Sequence, residues 1–215
     1  KVPMTAMPER IALSHAFGAL AVGCVGVAHY FLEYRHMGKF EIAVIGLEIL
    51  LGGLVFTGSL MAAGKLHEML PQRPMVFRGQ NYVNFALIGV GVVITFYLMF
   101  NPSHTWLVPV LAVLAMLIGV ALIVPIGGAD MPTVIALLNS YAGLSAAALG
   151  LVLNNKLLIV AGALDGTAGL ILAIIMCRAM NRSFRNVMFG AFGAVDEVTT
   201  ADGEVQGQVR SASTE

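Results

Sequence analysis

The chain is organised as long apolar runs separated by short polar breaks. Residues 79–129 are 51 consecutive residues without Asp, Glu, Lys or Arg, and residues 11–32 and 131–155 are equally free of charged side chains. A helix needs about 20 mostly apolar residues to cross the hydrocarbon core of a bilayer, and each of these runs reaches that length. The pattern therefore predicts an all-α protein, a polytopic bundle of about six transmembrane helices.

Residues that break helices divide the apolar runs at turns such as Asn101-Pro102, Gly127-Gly128 and Asn154-Asn155. The predicted helices are residues 8–32, 41–64, 82–100, 106–126, 132–153 and 157–178. We accordingly predict a transmembrane domain over residues 1–185. We predict a polar flexible linker over residues 186–215, because from Gly193 onward the composition is too polar to bury a core.

The composition supports the same class of protein. Hydrophobic residues make up 58% of the chain and charged residues 11%, whereas an ordinary soluble domain is about 25% charged. The 12 basic and 12 acidic residues cancel, so the chain lacks the basic surface that binds nucleic acid. No group of His, Cys and carboxylate residues has the spacing of metal ligands, and we predict no metal site.

The distribution of positive charge predicts the orientation. Six spans place both ends of the domain on one side, where eight Lys and Arg residues fall against three on the other. The eight are Lys1, Arg10, Lys65, Arg73, Arg78, Arg178, Arg182 and Arg185, and the three are Arg35, Lys39 and Lys156. The positive-inside rule then places both ends of this segment in the cytoplasm, in an inner (plasma) membrane, or in the matrix if the membrane is mitochondrial.

An internal repeat places two polar residues at one depth. Residues 7–17 resemble residues 131–141 at a constant offset of 124, and His15 and Asn139 each follow the proline of the repeat by seven residues. Seven residues span about 10 Å of helix, so both side chains are expected inside the hydrocarbon layer. The functional interpretation is a protonatable His15 on an ion path, with Asn139 as its hydrogen-bond partner or relay. The alternative is an ordinary interhelical hydrogen bond between neutral side chains.

Other polar and small residues carry weaker signals. Asp130 is placed to cap the fifth helix through its N-terminal amides. Asp165 and Glu48 lie inside predicted spans, where a carboxylate normally faces a cavity or a partner, but neither has an obvious partner in the sequence. A face of small residues indicates close packing of the sixth helix, and consists of Gly162, Gly166 and Gly169.

Several segments together resemble the beta subunit of proton-translocating NAD(P) transhydrogenase. The segments are Met4–Glu9, Phe56–Ser59, Gly127–Pro132, Leu138–Tyr141, Gly162–Leu164 and Met176–Phe184. The resemblance implies that proton passage is coupled to hydride transfer from NADH to NADP⁺. It also implies that His15 is the family's intramembrane histidine and that Asn139 is its polar partner in the proton path.

The same resemblance implies further roles and partners. Asp130 and Arg182 match charged positions where the membrane part meets the NADP(H)-binding domain, and Gly169 matches a position of close helix packing. NAD and NADP act in the full enzyme, and this fragment is expected to bind neither. The implied partners are the alpha subunit with its NAD(H)-binding domain, the NADP(H)-binding domain of the same subunit, which is missing here, a second copy in a dimer, and the bilayer. Asp165 departs from the family pattern, which has an apolar residue there.

Two other functions remain as alternatives at this point. The chain is also compatible with half of an independent proton-coupled transporter or channel, or with a purely structural membrane anchor. A reading frame that continues into a dinucleotide-binding domain would favour the transhydrogenase, whereas a His15 that does not titrate would favour the anchor.

Overall fold

The computed structural model describes residues 6–75, 79–181 and 184, and every long element among them is an α-helix. The six helices are α1 (Met7–Glu33), α2 (Lys39–Leu66), α3 (Gln80–Phe100), α4 (Leu107–Ile123), α5 (Met131–Val152) and α6 (Lys156–Ala179). Five of these helical segments are long and apolar enough to cross a membrane, and α4 is a shorter apolar helix of 17 residues. The all-α bundle predicted from the sequence is confirmed.

The boundaries lie within three residues of the predicted ones, and the largest difference is the early end of α4. The predicted helix continues to residue 126, but α4 ends at Ile123. Pro125 has no N–H to extend the hydrogen-bond ladder. The ammonium group of Lys65 donates instead to the carbonyl oxygens of Ile123, Val124 and Ile126, at 3.0, 2.8 and 2.7 Å.

Helix α2 is the centre of the bundle and packs against α1, α3, α4 and α5, while α6 packs against α5. Close contacts at Gly26 with Glu48 and at Gly52 with Ala19 show that α1 and α2 are antiparallel. We call the end of the bundle with residue 6 and the α2–α3 and α4–α5 connections the proximal end. The opposite end, with the α1–α2, α3–α4 and α5–α6 connections, is the distal end.

The hairpin of α5 and α6 is fixed by two asparagines at its turn. Asn154 adopts a left-handed conformation with φ of 52°, which asparagine tolerates better than most side chains. The side-chain oxygen of Asn155 accepts hydrogen bonds from the backbone N–H groups of Leu157 and Leu158, at 3.1 and 3.2 Å. This cap satisfies two of the free N–H groups at the start of α6 and sets the antiparallel register of the pair.

Glycines bring the backbones of α5 and α6 into contact. A methyl group added at Gly143 would overlap the backbone of Gly166, and one added at Gly162 would lie 2.7 Å from the carbonyl oxygen of Gly143. Because lipid tails are as apolar as leucine, packing at such close range is what holds membrane helices together. The α5–α6 pair is therefore a rigid support for the polar residues that it carries.

Candidate functional site

His15 lies on α1, about two turns from the proximal end, and is half-buried. Its Nδ1 atom is buried and finds no hydrogen-bond partner in the part of the chain that the structure describes. The register of the α1–α2 contacts places Ser59 of α2 opposite His15, and the Oγ atom of Ser59 is also buried without a partner. Two unsatisfied polar groups thus share one level of the bundle, which is unusual for a buried region.

The predicted repeat is present as two helix starts. Both α1 and α5 begin at a methionine that is followed by a proline, in positions 7 and 131. Since α1 and α5 both run antiparallel to α2, they are parallel to each other. His15 and Asn139 therefore lie at similar depth, on neighbouring helices.

The side-chain amide of Asn139 forms a hydrogen bond with Asp165, a residue for which the sequence indicated no partner. Its Nδ2 atom donates to the Oδ1 atom of Asp165 on α6, at 3.2 Å. Asn139 is half-buried, whereas Asp165 is exposed on the surface of the bundle. The amide on α5 and the carboxylate on α6 are thus paired, and the imidazole of His15 on α1 lies at a similar depth.

Gly169 sets the position of the Asn139 amide. A methyl group added at Gly169 would lie 3.0 Å from Nδ2 of Asn139 and 2.7 Å from the backbone nitrogen of Ser140. Any side chain larger than hydrogen would push the amide or the whole helix away. The glycine therefore lets α6 approach closely enough for the bond between Asn139 and Asp165 to form.

The predicted cap at Asp130 is wrong. Asp130 occupies the N-cap position of α5, but its side chain makes no capping hydrogen bond. A short 3₁₀ turn, Gly128–Asp130, leads into α5 instead. With φ of −90° and ψ of −3°, Asp130 has already entered the helical region, whereas a capping residue normally keeps an extended backbone. Arg182, the second predicted interface residue, lies outside the described residues.

Glu48 lies apart from this cluster, nearer the distal end of α2. Its side chain is fully buried, and both carboxylate oxygens have no hydrogen-bond partner. Among the described residues, no three His, Cys, Asp or Glu side chains are grouped as metal ligands. A cavity of about 230 Å³ between α1, α2 and α4 is lined by apolar and small residues such as Leu20, Val27 and Phe56, and it does not include His15 or Asn139.

The pairing of Asn139 with Asp165 could have been predicted from the short turn between α5 and α6. Because α5 and α6 are joined by a short turn at Asn154 and Asn155, residues at similar distance from the turn lie opposite each other. Asn139 is 15 residues before Asn154 and Asp165 is 10 residues after Asn155. The difference is about 7 Å along the axis, which two polar side chains can bridge.

Comparison with known proteins identifies the family. The sequence model of the family described as NAD(P) transhydrogenase beta subunit matches residues 1–215. The chain belongs to the NAD(P) transhydrogenase beta subunit family. It is 39% identical over 212 residues to the NAD(P) transhydrogenase subunit beta of Rhodospirillum rubrum, covering 94% of this chain and 45% of the relative. The same protein from a named strain of that species gives the same values.

The chain thus spans about half the length of the curated relatives that it matches. The resemblance to the transhydrogenase beta subunit inferred from short segments is confirmed over the whole chain. The part of the beta subunit that it represents is rich in membrane-spanning helices.

Proposed function

We propose that this chain forms the proton-translocating membrane part of an NAD(P) transhydrogenase and couples proton passage to hydride transfer from NADH to NADP⁺. The observation that carries the proposal is the presence of three polar side chains inside apolar helices: Asn139 is bonded to Asp165, and His15 lies at a similar depth on the neighbouring helix α1. Polar residues at this depth are costly and usually mark an ion path. The family match gives no support to an independent transporter or channel.

Of these three side chains, His15 is the group that takes up and releases the proton. A buried imidazolium without a polar partner costs several kcal/mol, so uptake of the proton requires water or a polar group beside the ring. The amide of Asn139 holds the carboxylate by its N–H and leaves its carbonyl oxygen free as an acceptor. Among the described residues Nδ1 of His15 has no hydrogen-bond partner, and the proposal is that water reaches this buried atom when the bundle opens.

The nucleotides bind elsewhere in the complete enzyme. Dinucleotide sites need a glycine-rich turn between a strand and a helix, and the described residues of this chain form helices and turns only. We therefore propose that NADP(H) binds a domain reached through residues 186–215, after a transmembrane domain that covers residues 1–185. NAD(H) then binds a domain of the alpha subunit. The complete enzyme is proposed to be a dimer, with Asp130 and Arg182 at the surface that meets the NADP(H)-binding domain.

The proposed location is an inner (plasma) membrane, or the mitochondrial inner membrane in a eukaryote, with both ends of this segment in the cytoplasm or matrix. The support is the excess of Lys and Arg on one side of the spans that the sequence predicts, to which the positive-inside rule applies. The proximal end then faces the cytoplasm and the nucleotide domains, and the distal end faces outward.

The test is proton pumping by the complete transhydrogenase that carries this chain, reconstituted into vesicles. We expect His15→Ala to lower pumping by roughly 100-fold or more, since a positioned acid–base group contributes about that much. Pumping is measured with a pH-sensitive dye, and hydride transfer is followed in the same vesicles. His36→Ala is the matched control, because His36 lies exposed in the α1–α2 connection. Normal pumping by His15→Ala would show that the proton travels by another route.

A further inference from the structure

Glu48 is a carboxyl group enclosed between helices in the distal half of the bundle. Its exposed fraction is 0%, and among the described residues neither carboxylate oxygen has a hydrogen-bond partner. The carboxyl group occupies the space of the absent side chain at Gly26 of α1, where an added methyl group would overlap it. The pair of a glycine on α1 and a glutamate on α2 therefore builds a closed compartment for one carboxyl group.

Within residues 6–75 and 79–181, no cation forms an ion pair with this carboxyl group. On α1 the titratable groups within four residues of Gly26 are Cys24, which is a free thiol, Tyr30, whose hydroxyl group donates to the carbonyl oxygen of Pro102 at 2.9 Å, and His29, which makes no hydrogen bond to Glu48. Tyr97 of α3 and Tyr141 of α5 are the titratable groups closest in register on those helices, and tyrosine is neutral at physiological pH. Helix α4 contains no titratable residue. Glu48 is therefore a neutral carboxylic acid in this state of the bundle, because an uncompensated buried charge is prohibitively costly.

Stability alone does not account for an acid at this position. A neutral carboxylic acid still has an O–H donor and a carbonyl acceptor, and both are unsatisfied here. An apolar side chain of similar volume avoids that cost and fills the same space. What an acid can do at this position, and an apolar side chain cannot, is to exchange a proton.

The position of Glu48 relates it to His15. Gly26 follows His15 on α1 by 11 residues, which is close to three full turns, so both lie on the same face of the helix. The separation along the axis is about 16 Å. On the other side, the hydroxyl group of Ser145 on α5 donates to the backbone carbonyl oxygen of Glu48 at 3.2 Å, which anchors α2 at this level. Glu48 and His15 therefore both lie along the contact between α1 and α2, towards opposite ends of the bundle.

We propose that Glu48 is a second proton-binding residue of this chain. It lies in the distal half of the contact between α1 and α2, and His15 lies in the proximal half. When the compartment is closed, Glu48 holds its proton. When water enters, the O–H bond breaks and the proton passes to that water, and the carboxylate is later reprotonated by water from the other side of the membrane, in the direction that the coupled hydride transfer sets. This inference rests on the proposed function, because it assumes that protons cross the membrane through this chain.

The experiment uses the complete transhydrogenase in vesicles and two variants at the same position. Glu48→Gln keeps the shape and Glu48→Met makes the site apolar, and neither can release a proton. We expect both variants to lower pumping by roughly 100-fold. We also expect Glu48→Met to leave the thermal unfolding midpoint unchanged or raised, since it removes unsatisfied polar atoms. Glu41→Gln is the control on the same helix, because Glu41 is exposed and its amide oxygen can still accept from the N–H of Gly38.

Infrared spectroscopy gives a direct readout of the acid. Wild-type protein should show the carbonyl stretching band of a protonated carboxylic acid without hydrogen bonds, and Glu48→Gln should lose that band. Pumping at the wild-type rate by Glu48→Met, with the protein folded, would overturn the inference about Glu48 but leave the proposed function intact. Absence of pumping by the wild-type enzyme would contradict the proposed function itself. A thermal midpoint that falls in Glu48→Met, with normal pumping in Glu48→Gln, would show that the acid is structural.

Discussion

The ammonium group of Lys65 lies inside the bundle rather than in water. In the sequence it belongs to the basic residues of the proximal end, but its exposed fraction is 0%. The three carbonyl oxygens that bind its ammonium group belong to the last residue of α4 and to the turn that follows it, where the helix dipole presents partial negative charge. One residue of α2 thus closes the end of another helix, and this role depends on tertiary contacts that no local pattern reveals.

We expect Lys65→Met to destabilise the bundle by roughly 2 kcal/mol, because three carbonyl groups lose a charged donor in a buried place. Thermal unfolding in detergent measures the change. Lys39→Met is the matched control, since Lys39 lies on the same helix but is exposed, with its ammonium group 4.9 Å from the ring centroid of Phe100. Equal midpoints for the two variants would contradict the role given to Lys65.

At the scale of elements, the α5–α6 pair is held by backbone contact more than by side chains. Gly143 meets the backbone of Gly166, and Gly150 meets that of Ile159, where an added methyl group would lie 2.7 Å from the backbone nitrogen. The same contact between α5 and α6 includes the hydrogen bond between Asn139 and Asp165. A change that separates the two helices is therefore expected to disturb the candidate site as well as stability.

We expect Gly143→Ala to lower stability by about 1–3 kcal/mol, because the added methyl group has no space and must push α6 away. Gly89→Ala on α3 is the control, since a methyl group added there meets nothing within 4 Å. The measurement is thermal unfolding of both variants in the same detergent. A midpoint for Gly143→Ala that equals that of Gly89→Ala would show that the seam can relax.

The elements followed from the sequence because their limits depend on local chemistry. Proline and glycine breakers, and the capping residue Asn155, act on the residues next to them, and so the helix limits came within a few residues. Partners across helices did not follow in this way. The bond of Asn139 to Asp165 and the enclosure of Glu48 by Gly26 depend on rotation and register of packed helices. The expected cap by Asp130 failed for a related reason, since a short 3₁₀ turn precedes α5.

For the whole molecule, the orientation in the membrane depends on few charges. Among the described residues, the exposed basic residues number three at each end: Arg10, Arg73 and Arg178 at the proximal end, and Arg35, Lys39 and Lys156 at the distal end. Lys65 is bound to carbonyl groups and no longer counts as a free surface charge. The proximal excess in the sequence therefore comes from four residues, which are Lys1, Arg78, Arg182 and Arg185.

We expect the proximal end to lie in the cytoplasm, because those four charges adjoin the ends of predicted spans, where the positive-inside rule acts. The test is labelling of single cysteines in the complete protein with a membrane-impermeant maleimide, after Cys24 and Cys177, the two native cysteines, are replaced by alanine. Ser103→Cys, exposed in the α3–α4 connection at the distal end, should react in intact spheroplasts. Met69→Cys, at a position that is 78% exposed in the α2–α3 connection, should react only after lysis. The reverse pattern would invert the bundle and place the surface of Asp130 outside, away from any cytoplasmic nucleotide domain.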